Sequence, residues 1–351
     1  MLKAFVKRFV FSRLPVSLVL MYHRISYVER DYYGICVDPK NFEEHAMIIK
    51  KFACKIDDIF SIKPQLRIFI TFDDGYKDNF DFAKKILEKY DLSAAFFITT
   101  GFLGKRKIWI DELAELFQHK VRTNEIYIEY DNKKKLIKVI ITEDNDFSKL
   151  DFDLYYKFRK VIFEQIPFAK EEIFRLKKNE FFALAYVLIK YSREPYRYLE
   201  KLKRFFMVEH NKVKDEKNSN QDTSLFMTED DVFELSLNEN FLIGAHTETH
   251  RVLSVLDRRE QEYEILQSKN VLQKITGREI FCFAYPFGLE GDFSEITQEI
   301  CKKYFKYSFT GIKRVCSIFT PRHKIPRFYV PNCDGEVFER KIFEFLYYLF
   351  S

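Results

Sequence analysis

Two adjacent carboxylates, Asp73 and Asp74, end the apolar run of IFITFDDGYKDNF, and two imidazoles, His246 and His250, lie in FLIGAHTETHRVLS. A buried strand of a β/α fold delivers the residues at its end to the edge of the sheet where ligands bind. The i, i+4 spacing of His246 and His250 puts both rings on one side of a helical turn, as two ligands of one cation require. Asp-Asp-Gly alone also suits an ordinary turn, and an isolated HxxxH suits surface or core histidines. It is their order along the chain, with YPFG at a third strand end, that favours a site.

One carboxylate and two neutral imidazoles form an open three-ligand site for zinc or a similar divalent metal, with positions left for water and substrate. A second carboxylate beside it then has the role of base on the water that the metal activates, which amide hydrolysis needs. The metal would also stabilise the oxyanion growing on the carbonyl oxygen.

TFDDG (71–75), HTETH (246–250) and AYPFG (284–288) resemble the first three motifs of the polysaccharide deacetylases, the NodB homology domain of carbohydrate esterase family four. The resemblance covers most of the chain outside about 105–225, and the first two motifs together are specific. It implies an α/β fold, a distorted (β/α) barrel, and a hydrolase that removes an N-acetyl group from an amino sugar or glycan. By position, the base falls on Asp73 and the metal ligands on Asp74, His246 and His250. The cofactor expected is a divalent metal, zinc first, with Co2+, Ni2+ or Fe2+ as alternatives. Tyr285, Pro286 and Phe287 are expected at the substrate, where flat rings suit the apolar face of a sugar. Trp109, the only tryptophan, is either a rim residue of the site or an anchor of the 105–225 region.

The sequence departs from the family pattern twice. In many members the third motif carries an arginine that orients the catalytic carboxylate, and here that position is Ala284. Arg327, in KIPRFYV, is the candidate replacement, since a cation beside a carboxylate favours its ionised form; the alternative is a surface arginine. The late motif with a catalytic histidine is also missing, because His323 is the only histidine after His250 and precedes a strand. His23, closing the strand of LMYHRI, takes that place, as in members similar to the exopolysaccharide deacetylases of biofilm systems, which carry an early YH and read as circularly permuted. A protonated His23 would donate to the departing amine; the alternative is a buried structural histidine.

The elements that must position these residues follow from hydrophobic pattern. Short apolar runs predict strands over 16–22, 66–72, 94–99, 241–245, 281–285, 304–310 and 325–330, alternating with helices over 41–51, 79–90, 229–237, 257–276, 294–303 and 337–350. Asp257 with Glu260 reads as a capping box, and Gly277 as a helix stop. The rhythm breaks over 105–225, which is read as a large, mainly helical insertion in a single domain spanning 1–351. It opens with a hairpin-like YIEYDNKKKLIKVIITEDN, continues as charged helical sequence to about His210, and ends in a polar loop from Lys214.

Of 351 residues about half are apolar, enough for a substantial core, and the net charge of +5 is spread without a basic block, which argues against nucleic acid as partner. Six scattered cysteines without a CxxC pair fit a reducing compartment, so a cytoplasmic location is expected. No stretch is apolar for the length of a bilayer span. Leu2, Phe5, Val6, Phe9 and Val10 recur at helical spacing opposite Lys3, Lys7 and Arg8. That pattern serves either a helix docked on the protein's own core or a peripheral contact at the inner membrane face. The substrate class is an N-acetylated sugar or glycan, free, nucleotide-linked or lipid-linked. Rival readings are a deformylase or O-acetyl esterase with the same metal site, and a binding or assembly protein without turnover.

Overall fold

The computed structural model describes residues 14–105, 107–130, 135–145, 149–163, 171–207 and 224–346. The amphipathic N-terminal stretch, most of the polar loop from Lys214 and the end of the predicted C-terminal helix lie outside them. The chain divides into two compact units, one of 1–29, 35–106 and 224–351, the other of 30–34 and 107–223.

Down the chain the strands are β1 (Ser17–Tyr22), β2 (Arg24–Ile25), β3 (Cys36–Val37), β4 (Arg67–Phe72), β5 (Ala94–Ile98), β6 (Glu125–Tyr130), β7 (Lys135–Glu143), β8 (Glu171–Lys177), β9 (Phe241–Ala245), β10 (Cys282–Ala284), β11 (Tyr307–Phe309) and β12 (Phe328–Tyr329). In the first unit seven parallel strands form one sheet in the order β11-β10-β9-β5-β4-β1-β12. The stretch leading into β12 curls this sheet towards closure. Ile325 pairs with Phe309 of β11, and three residues later Phe328 pairs with Leu20 of β1. The result is the distorted β/α barrel expected from the alternation of strands and helices.

Two apolar layers follow from the period of two along each strand. Val19, Phe69, Phe97, Ala284 and Phe309 gather in one cluster, and Leu18, Leu20, Tyr22, Ile70, Phe72, Phe96 and Phe283 in another with the helices. Phe72 stacks on Phe96 at 4.9 Å and on Tyr22 at 5.6 Å. The helix Arg258–Thr276 starts on the predicted box: Asp257 accepts from Arg259 and Glu260 N–H, Asp257 N–H donates to Glu260, and Gly277 ends it at φ 64°. That conformation costs glycine nothing.

In the second unit β6 and β7 form the antiparallel hairpin expected from the sequence, and β8 adds parallel to β7. This third strand lies where helical sequence was expected. EEIFRLK is short and alternating, and edge pairing outweighs its weak helical pattern. Helices Phe152–Phe163 and Lys178–Lys190 pack together in the same unit.

Candidate metal centre

The pleat that separates the two layers also aims the polar residues at the strand ends. In β4, Ile70 and Phe72 belong to the outer layer, so Thr71 and Asp73 face inward. The same alternation turns His246 inward after Ala245, and Arg327 inward before Phe328.

Beyond β4 the chain turns sharply, with Asp74 at φ 75° and Gly75 at φ 85°. Beyond β9 Thr247 and His250 are also left-handed, at φ 64° and 55°. A β-branched threonine in that region is strained by about 1–3 kcal/mol, and such strain concentrates at functional sites. The surroundings hold the turn. Thr100 N–H donates to Thr247 O at 3.2 Å, Gly101 N–H to Glu248 O at 2.7 Å, and Thr99 Oγ1 to His246 O at 3.2 Å. A Cβ on Gly101 would lie 2.4 Å from Glu248 O, so only glycine permits this approach.

These turns bring three potential ligand atoms within 4.8 Å of one another, one each from Asp74, His246 and His250, all buried. His250 Nε2 lies 3.1 Å and His246 Nε2 3.4 Å from Asp74 Oδ1. His246 Nδ1 is 2.8 Å from Ala284 O. Only a protonated nitrogen can bond a carbonyl oxygen, so in the neutral ring the Nε2 lone pair faces the cluster. Asp74 Oδ1 is buried without a hydrogen bond. A buried, acceptor-rich cluster of this kind is costly unless a cation completes it, so the residues present fit a divalent metal. Burial opposes the charge on Asp74; protonated His250 and His246 would hold the carboxyl well below its usual range, and a bound cation would take the place of those protons.

Beside this cluster Arg327 grips Asp73 with both arms of its guanidinium, Nη1 to Oδ1 at 2.7 Å and Nη2 to Oδ2 at 2.8 Å. Two further N–H groups go to Thr71 Oγ1 and Thr310 O, so each nitrogen of this fully buried guanidinium has a partner. Burial pushes Asp73 up, and the charge of Arg327 brings it below the usual value. Ala284, where the family's third-motif arginine would stand, meanwhile supplies the carbonyl that orients His246.

His23 follows the inward end of β1, 6.5 Å from the ring of Tyr329. Burial lowers its pKa, and the carboxylates of Asp74 and Asp73 oppose that shift, which places His23 in their field. Asn79 donates to His23 O at 2.9 Å, while Asp78 binds Arg24 Nε at 2.8 Å and Ile25 N–H at 3.1 Å. The residues that follow the first motif therefore anchor the segment that carries His23. Asp78 and Asn79 were visible in the sequence only as part of a helix start.

A sequence model of the family described as "Polysaccharide deacetylase" matches residues 62–128 and 194–305, just over half of the chain. The chain belongs to the polysaccharide deacetylase family. No curated protein sequence matches it. Among solved structures, a polysaccharide deacetylase from Bacillus cereus is similar with a TM-score of 0.52 at 17% identity, over 93% of this chain and 69% of that one. The Streptococcus pyogenes deacetylase PplD, solved in complex with acetate, gives 0.51 at 14% identity over 93% and 97%. A de-N-acetylase from Aggregatibacter actinomycetemcomitans gives 0.51 at 14% identity over 94% and 99%. At such identities the likeness is one of fold.

Within this family member the residues expected at the substrate separate. Phe287, at φ 60°, sets its ring 4.7 Å from that of His250 and is half-buried beside the cluster. Pro286 is buried between Tyr285 and Phe287 in the chain. Tyr285 does not offer its ring to a ligand. It follows inward-facing Ala284, so the pleat turns it outward, where it stacks on Phe293 at 4.3 Å and donates to His323 O. At 1% exposure the Tyr285 ring is core, and only its backbone lies in the motif loop. Trp109 is buried within the second unit, 5.7 Å from Tyr186. His323, half-buried, shares a hydrogen bond with Ser308.

Sequence reading missed Glu264. From the middle of the helix Arg258–Thr276 its carboxylate reaches back to Glu248 and Thr249, between the two histidines. The only sequence signal was an acid on the buried face of an amphipathic helix.

Proposed function

We propose that this protein is a metal-dependent deacetylase that removes an N-acetyl group from an amino sugar, either free, within a glycan, or linked to a nucleotide or lipid. The observation that carries the reading is the convergence of Asp74, His246 and His250 next to an Asp73 locked by Arg327. In this reading the three ligands hold zinc. When bound, the metal supplies Lewis-acid polarisation of the scissile carbonyl and acidifies the attacking water. Asp73, kept ionised by Arg327, accepts the water proton. Its rigid two-point pairing leaves each oxygen a free lone pair and no rotational freedom to lose at the moment of reaction. His23 gives a proton to the departing nitrogen, which leaves as an amine instead of an amide anion. Phe287, beside His250, offers an apolar wall to the acyl group or a sugar face.

The names of two similar structures support the chemistry, one a de-N-acetylase and one a deacetylase solved with acetate. A setting in the cytoplasm or at its membrane face belongs to the same proposal, with the scattered cysteines as its support. The test is incubation of zinc-loaded protein with N-acetylated sugars and sugar intermediates, read by mass spectrometry. The expected result is loss of one acetyl group with an equal amount of acetate, and a His23→Ala variant that keeps its metal but turns over far more slowly. Formate in place of acetate would make it a deformylase. Sugar binding without any mass change would leave a binding protein.

A further inference from the structure

The turn from His246 to His250 is held from two sides. The turn after β5 supplies the backbone bonds to Thr247 and Glu248 already described. On the other side Glu264 projects from the helix Arg258–Thr276, 4% exposed. Its Oε2 accepts Glu248 N–H at 3.1 Å and Thr249 N–H at 2.9 Å, and its Oε1 accepts the hydroxyl of Thr249 at 2.5 Å. No other side chain is bonded to both of these consecutive amides among the described residues. The two amides lie between the left-handed Thr247 and the left-handed His250, so the carboxylate holds the stretch that joins the two strained residues.

A charged acceptor shared by two backbone N–H groups makes short, strong bonds, and burial strengthens them. The helix that carries Glu264 is capped at both ends and packed on β9, so the acceptor is a fixed point. The turn has no comparable anchor of its own, apart from His250 N–H on Thr247 Oγ1 at 3.0 Å. Loss of the Glu264 carboxylate would leave the amides of Glu248 and Thr249 without their acceptor, on the stretch that leads directly into His250.

We propose that Glu264 is a positioning residue that sets the affinity of the metal centre by clamping the 247–250 turn. The inference rests on the reading of Asp74, His246 and His250 as metal ligands. The Glu264 carboxylate bonds the backbone and the Thr249 hydroxyl of the turn, so its signature is metal affinity and ligand geometry, with the reaction as a secondary consequence.

The test uses the full chain stripped of metal. Zn2+ affinity is measured by competition with a chromophoric chelator, and ligand geometry by the visible absorption of the Co2+ form. Glu264→Gln keeps size and one acceptor and removes the charge. It is expected to weaken Zn2+ binding about 10–100-fold, the range seen for outer-shell partners of metal ligands, and to shift the Co2+ bands. Thr249→Val removes only the hydroxyl bond and is expected to weaken binding about threefold. If Glu264→Gln does not fold, Thr249→Val decides. Parent-like affinity and Co2+ spectra in the folded variants, with Asp74→Asn clearly weakened, would overturn the role of Glu264 alone. Parent-like affinity in Asp74→Asn would overturn the ligand reading and this inference with it.

Discussion

At the scale of single residues the site separates two neighbours in sequence into opposite electrostatic situations. Asp73 faces inward onto a guanidinium that meets both of its oxygens, whereas Asp74 turns, at positive φ, onto two imidazoles. A permanent cation suits a carboxylate that must be ionised before it takes up a proton, and neutral nitrogen donors suit one that shares a metal. Replacing each aspartate by asparagine should therefore produce different losses. Asp73→Asn is expected to lose turnover by about 10²–10⁴-fold, the range for removal of a positioned base, with zinc affinity within a few-fold of the parent. Asp74→Asn is expected to lose zinc affinity first. Metal titration and single-turnover rates on the same preparations check the pair, and equal behaviour of the two variants would contradict the division of roles.

At the scale of elements, the site depends on how closely separate strand ends approach. The turn after β5 and the turn after β9 touch through backbone at Gly101, where an added methyl would collide with Glu248 O, an atom that cannot swing aside. Gly101→Ala is therefore expected to push the turn away from β5. The expected costs are about 1–3 kcal/mol of stability, as for other overpacked positions, and weaker zinc binding through His246 and His250. Denaturant unfolding of the metal-free protein reports the first effect and chelator competition the second. Unchanged stability would show that the turn yields without cost. The same closeness explains Tyr285. A one-residue step along β10 exchanges the inner and outer layers, so the residue after Ala284 belongs to the core.

At the scale of the whole molecule, a buried histidine far from the metal ligands in sequence couples stability to pH. His45, with no exposed surface, lies 2.8 Å from Cys333 O through Nε2 and 3.2 Å from Tyr22 Oη through Nδ1, and stacks on Phe338 at 4.0 Å. It joins the helix Pro39–Ile49 to the start of the helix Gly335–Phe345. Burial pulls its pKa from 6.5 to about 4. Because the folded state favours the neutral ring, this stabilisation is complete above about pH 6.5. It is lost progressively as pH falls, while the unfolded chain takes up the proton first, and levels off below about pH 4. The difference amounts to about 3 kcal/mol, at about 1.4 kcal/mol per pH unit. Urea unfolding between pH 7 and pH 4 should show a shallower pH dependence in His45→Gln than in the parent. Parallel curves would contradict the assignment.

The sequence by itself determined the strands and helices of the barrel, because periodicity and turn residues are local. It also determined the family, because TFDDG, HTETH and AYPFG are contiguous strings whose spacing records one fold. Even the hairpin of the second unit was legible as a hairpin-like stretch, while β8 was not, since its state depends on a neighbour's edge. Tertiary structure alone decided which residues meet across long separations. Arg327, which the sequence offered either as the partner of Asp73 or as a surface arginine, meets it over 254 positions, and Glu264 reaches the HTETH turn from a helix whose own pattern predicts only amphipathicity. Both partnerships depend on the register and curl of the sheet. Tyr285, drawn by its motif towards the site, was sent to the core by the same pleat. Local pattern encodes the elements, but the face on which a side chain emerges is settled by what packs against it.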